Sequence, residues 1–290
     1  MTQTARADAT DHAELDREQT RLIAAWRHEF LHAAMMTAFV TMRCADVARQ
    51  VDLAGLDAID AHLPQQPAID RAIRQGLLQV SSRFSPAFFA GRAAYKTLEV
   101  ALAEFSVAHA GARYELTGID PVATLANLRS YWPEASLSFA QALTVFDHNG
   151  LLHMSPEHDH TLNSQCPRRL MQLLRAAGKG ETLAINGADN VAGQLPVWVQ
   201  RRRWLRRNCN LKCSVATKGS SFAAVIRNVS LGGTLLDGVP DLTRGTAVLI
   251  LIGDNRKLPA SVIWSQDRTA GIKFDSELAY DDPLIRVDGE

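Results

Sequence analysis

The 290-residue chain is 47% hydrophobic and 21% charged, and its 31 basic side chains balance 31 acidic ones. That composition excludes a disordered chain, and the length favours two domains, each burying its own core. Zero net charge excludes a global field that would steer the protein onto nucleic acid or an anionic membrane, so any polyanion binding has to be local.

The first twenty residues, MTQTARADATDHAELDREQT, are polar and acidic and hold no apolar signal core. The apolar stretch from Phe30 to Met42 is thirteen residues long, too short to span a bilayer. With Cys44, Cys166, Cys209 and Cys213 read as reduced thiols, the expected location is the cytoplasm, with no membrane contact.

Up to residue 178 the apolar residues recur at helical spacing. Leu22, Ile23, Trp26 and Phe30 begin a stripe, and Phe30 to Met42 is apolar nearly all round, as in a buried central helix. Asp11 followed by Glu14 resembles a capping box for its start. Ile69, Ile73, Leu77 and Val80 mark a second helix, and Phe88, Tyr95, Leu98, Leu102 and Phe105 a third that ends near Gly111. Shorter helices are expected at 120–131, 135–147 and 167–177, with Pro121, Pro133 and Pro167 near their starts. The expectation is an all-helical domain over 1–178, followed by a Gly-rich polar linker over 179–196.

Beyond the linker, short β-branched runs alternate with turn signals: LKCSVAT, FAAVIRNV, TLLDG, TAVLILI, PASVIWS and AGIKF. Strands of that length describe a small antiparallel barrel, expected over 197–280, with an acidic tail over 281–290; the acidic stretch from Asp275 to Glu290 is expected to form a helix followed by a loose tail. The fold class is α+β: a helical N-terminal domain, then a β-barrel.

The one local excess of charge lies at this junction. From Val191 to Leu236 there are eight basic residues and no acid, and QRRRWLRRN (200–208) holds five of them, Arg201, Arg202, Arg203, Arg206 and Arg207. Alone, the run reads equally as a solvated segment or a weak nucleic-acid patch. Downstream, RNVSLGGTLL places Asn228, Ser230, Gly232 and Gly233 on a strand and its turn, in an N-x-S-x-x-G spacing. The two motifs in order, closed by VIWSQDRTAGIKF, resemble a PilZ domain over roughly residues 197–278.

In that family an R-x-x-x-R motif precedes the first strand and a [D/N]-x-S-x-x-G motif lies on the barrel. Arg202 and Arg206 match the first, with Arg203 and Arg207 as a second register; Asn228, Ser230 and Gly233 match the second. The resemblance implies a cyclic di-GMP receptor of bacterial second-messenger signalling, with no cofactor and no catalysis. The residue types suit the ligand. An arginine fork meets guanine O6 and N7 bidentately, stacks on the purine and bonds phosphate oxygens. Asn228 and Ser230 can reach guanine edges, and Gly233 provides either close backbone approach or positive φ. The helical domain then carries output to a protein partner or by self-association, and nucleic acid is a disfavoured partner.

Two other constellations remain. His28-Glu29-x-x-His32 has the H-E-x-x-H pattern of zinc hydrolases, but no third ligand is marked by its context. DHNGLLHMSPEHDH (147–160) is dense in His and acids without a ligand spacing, and reads as a solvated loop. A zinc hydrolase regulated by the barrel, and a PilZ-like interaction module that binds no nucleotide, are the alternative readings.

Overall fold

The structure is a computed structural model that describes residues 4–46, 53–60, 62–64, 84–153, 166–181, 204, 206–253, 255–279 and 282–286. The chain divides into two compact units, Met1–Arg203 and Trp204–Glu290. The second helix expected at Ile69–Val80, and nearly all of the expected linker, lie outside the described residues.

The N-terminal unit is helical: α1 (Thr4–Asp46), α2 (Leu53–Asp60), α3 (Ser85–Tyr114), α4 (Pro121–His148), a 3-10 turn at Leu151–His153, and α5 (Cys166–Lys179). In α1 the all-round apolar stretch is buried at Ala33, Ala34, Met35, Met36, Ala38, Phe39 and Val40. The helix starts at Thr4, not at Asp11. Alanine and arginine ahead of Asp11 are strong helix formers and carry the helix past a capping pattern that would otherwise begin it. No helix among the described residues is long and apolar enough to cross a membrane.

The helices expected at 120–131 and 135–147 are one helix, α4, with Pro133 inside it. Proline removes one intrahelical bond, but tertiary packing carries the helix through. Trp132 is fully buried, and the Thr41 hydroxyl lies 3.0 Å from its carbonyl and 2.7 Å from the Ser136 hydroxyl. Asp120 caps α4, its carboxylate accepting from the Val122 N–H at 2.8 Å. The short α2, unread in the sequence pattern, is tied to α3 by the His109 Nε2–Asp57 contact of 2.6 Å.

The C-terminal unit is a closed antiparallel barrel of six strands: β1 (Arg207–Ala216), β2 (Ser221–Ser230), β3 (Gly233–Asp237), β4 (Ala247–Ile252), β5 (Arg256–Gln266) and β6 (Thr269–Phe274). Their order is β1-β2-β3-β6-β5-β4, and β1 pairing with β4 closes it. The core is mostly aliphatic, with Val215, Ile226, Leu236, Ile250 and Val262 almost wholly buried and Phe274 among them. The acidic stretch expected to hold a helix and a loose tail contains α6 (Pro283–Arg286), whose Leu284 and Ile285 join this core. Two apolar side chains among acids suffice to dock one helical turn, because Asp282 both caps it through the Leu284 N–H (2.9 Å) and pairs with Arg256.

Candidate functional site

The described end of the arginine run, Arg206 and Arg207, lies beside the strand that carries Asn228 and Ser230. β1 opens at Arg207, which pairs with Val229 on β2, and Asn208 pairs with Asn228. The exposed Arg206 immediately precedes β1, next to the Arg207–Val229 pair. Arg207 is half-buried, and its guanidinium donates to the Ile285 carbonyl at the end of α6. Arg201, Arg202 and Arg203 lie outside the described residues.

Asn228 owes its placement to a bulge. Ile226 pairs with Leu236 and Asn228 with Leu235, leaving Arg227 as an extra residue on β2. Alternation shifts by one there: Ala224 and Ile226 are buried before it, and Val229 after it. Arg227 secures the bulge from outside, donating to Asp237 Oδ2 at 2.6 and 2.9 Å and to Asn210 Oδ1 at 3.1 Å. Those hydrogen bonds hold the Asp237 carboxyl below its usual range. The Asn228 backbone carbonyl accepts from Thr234 Oγ1 at 2.7 Å. Its side-chain Oδ1 is buried and has no hydrogen-bond donor among the described residues. A buried acceptor left unmatched costs about 1–3 kcal/mol.

Ser230 is buried and its hydroxyl donates to the Gly233 carbonyl at 3.1 Å, closing the turn between β2 and β3. The same turn is tied to the barrel by the Phe274 N–H on the Gly232 carbonyl (3.0 Å) and the Leu278 N–H on the Leu231 carbonyl (2.8 Å). Neither glycine has positive φ. Both are required by close approach: a Cβ on Gly233 would lie 2.2 Å from the Ile272 carbonyl oxygen, and one on Gly232 would lie 2.7 Å from Trp204 Cδ1. Of the two roles open to Gly233, close approach is the one it fills, toward β6.

Three contributors escape a motif reading. Trp204 packs on the barrel core and on Gly232, though it stands in a run that reads as polar. Thr234 and the Arg227–Asp237 pair hold Asn228 in place, and only strand register reveals them. Cys209 and Cys213 both face inward on β1; burial raises both thiols, Cys213 to about 11, while the charge of Arg207 opposes the rise at Cys209.

The histidine constellations are placed differently. His28 and Glu29 are buried on α1 and His32 is partly exposed. Among the described residues no three His, Cys, Asp or Glu side chains come together to hold a metal ion. Of the 147–160 stretch, residues 154–160 lie outside the described residues, and His148 Nδ1 is 2.8 Å from the Thr144 carbonyl.

No curated protein matches the chain. Residues 200–283, under a third of its 290 residues, match the family model of the PilZ domain, and the match leaves the helical unit outside it. PilZ domains form a nucleotide-binding receptor family that is not typically catalytic, so the match supports a cyclic di-GMP-binding signalling module in general terms at the C-terminal end of this chain.

Proposed function

We propose that the protein is a cytoplasmic cyclic di-GMP receptor and not an enzyme. The nucleotide is held between the arginine segment, through Arg202 and Arg206, and the barrel edge formed by Asn228, Ser230, Gly232 and Gly233. Arg201, Arg203 and Arg207 add positive charge around it. The observation that carries the reading is the buried Oδ1 of Asn228, which has no donor among the described residues and lies on β2 beside the strand that Arg207 opens. Guanine presents N–H donors on its Watson–Crick edge, which a carboxamide oxygen accepts, while arginine takes O6, N7 and phosphate.

Binding then draws the arginine segment onto the barrel and changes the placement of the helical domain, which signals to a protein partner or by self-association. The switch has only the ligand's differential affinity for the two arrangements to draw on. Calorimetric titration with cyclic di-GMP tests the proposal. Wild type should bind, Arg202→Ala/Arg206→Ala should weaken binding by about a hundredfold or more, and Asn228→Ala by roughly tenfold. No heat and no thermal shift from wild type at saturating nucleotide would remove the reading.

A further inference from the structure

Trp204 lies inside the arginine run, two residues before Arg206 and three before the first residue of β1. Its ring is partly buried against the barrel core. A Cβ added to Gly232 would sit 2.7 Å from the indole Cδ1 and 2.9 Å from Nε1, closer than such atoms approach. The Gly232 backbone has no positive φ, so what excludes a side chain there is the indole and not the chain conformation. The turn under the ring is fixed on three sides, by Ser230 to Gly233, Phe274 to Gly232 and Leu278 to Leu231.

We propose that Trp204 is the positioning residue of the arginine segment. Seated on Gly232, its indole pins the chain to the turn that carries Ser230 and Gly233, and so presents Arg206 at the barrel edge before any nucleotide arrives. Arg206 then belongs to the fixed side of the site. Fixing one arginine in advance removes its ordering cost from binding, which is how preorganisation raises affinity. The assignment of a ligand to this segment rests on the cyclic di-GMP reading; the pin itself does not.

Two measurements on the full chain test it. The first needs no ligand: trypsin cleavage of the Arg206–Arg207 bond, followed by mass spectrometry. Trp204→Ala and Gly232→Ala, which crowds the ring off its seat, should both cut at least about fivefold faster than wild type, because local release sets the rate. Wild-type rates in both variants overturn the pin. The second is the affinity for cyclic di-GMP, which each single variant should weaken by about tenfold. Trp204→Ala/Gly232→Ala should bind within about twofold of Trp204→Ala, since residues acting through one contact are not additive. Fully additive losses, or wild-type affinity in a folded Trp204→Ala, overturn the role. Trp204→Phe, which keeps a ring on the glycine, should recover most of the binding, and with Gly232→Ala it carries both measurements if Trp204→Ala does not fold. If wild type takes up no cyclic di-GMP, the ligand reading falls and the trypsin rates alone decide the pin.

Discussion

Both units set a tryptophan against a glycine, and they use the contact for different ends. In the helical unit Trp26 is fully buried, with ring centroids of Phe30, Phe88 and Phe146 at 6.0, 5.9 and 4.9 Å. Gly91 on α3 makes room for it: a Cβ there would lie 2.8 Å from Trp26 Cζ2. In the barrel the rings lie outside the aliphatic core, Trp204 on Gly232 and Trp264, 44% exposed, on its cross-strand neighbour Gly271. A barrel of six strands has a narrow interior that aliphatic side chains and Phe274 already fill, so an indole finds apolar contact by covering bare backbone from outside. The glycine opposite a helical tryptophan serves volume and stability. The one opposite Trp204 serves the position of a charged segment.

The largest test of that contrast is Trp26→Ala. Emptying the centre of an aromatic cluster should cost about 3–5 kcal/mol, read as lost hydrogen-exchange protection in α1, α3 and α4. Trp264→Ala should cost less than half as much. If protection falls equally in β1 to β6 on losing Trp26, the units unfold as one and the comparison of separate cores breaks. A smaller effect comes from adding one methyl group in each unit. Gly91→Ala forces Trp26 from a filled core and should cost about 1–3 kcal/mol. Gly232→Ala displaces a ring that has solvent to move into and should change the melting temperature little, within about 0.5 kcal/mol. Equal losses from the two would show that Trp204 is a core residue like Trp26.

The change from helix to strand grammar is legible in the sequence because both signals are local: 3.6-residue stripes to α5, then short β-branched runs with turns between them. Asn228, Ser230 and Gly233 are legible for the same reason, being neighbours on one strand and turn. What a local pattern hides is whatever a distant residue decides. Pro133 reads as a helix start, and only Thr41 and Ser136, far off in sequence or beyond the proline, show why the helix runs on. Arg227 reads as one more polar residue, yet as a bulge it changes which side chains of β2 face inward. Leu284 and Ile285 stand in a stretch that reads as an acidic helix and tail, and nothing local shows that they join the barrel core. Trp204 reads as a hydrophobic exception in a basic run until Gly232 is found beneath it. The glycine in the motif was legible; its reason, an indole, was not.

Alkaline pH offers the finest comparison of the two units, because each buries a cysteine. Burial pushes Cys44, on α1, from 9.0 to about 12, and Cys213, on β1, from 9.0 to about 11. Both thiols stay protonated in the folded chain over a range where the unfolded chain ionises them. Above about pH 9 the unfolded state therefore binds fewer protons than the native one, and stability falls as pH rises. The loss stops growing when the native thiol titrates in its turn, sooner for Cys213 than for Cys44. By pH 10 a fully shifted thiol should have withdrawn about 1 kcal/mol from its unit. Cys44→Ala and Cys213→Ala each lower stability at neutral pH by leaving a small cavity, but neither alanine titrates. Exchange protection measured at about pH 8 and pH 10 should thus fall less in α1, α3 and α4 for the first variant, and less in β1 to β6 for the second. An alkaline loss unchanged by either substitution would assign it to lysines and tyrosines. A loss relieved in both units by one substitution would mean that the helices and the barrel share a single unfolding transition, against the separate cores their tryptophans describe.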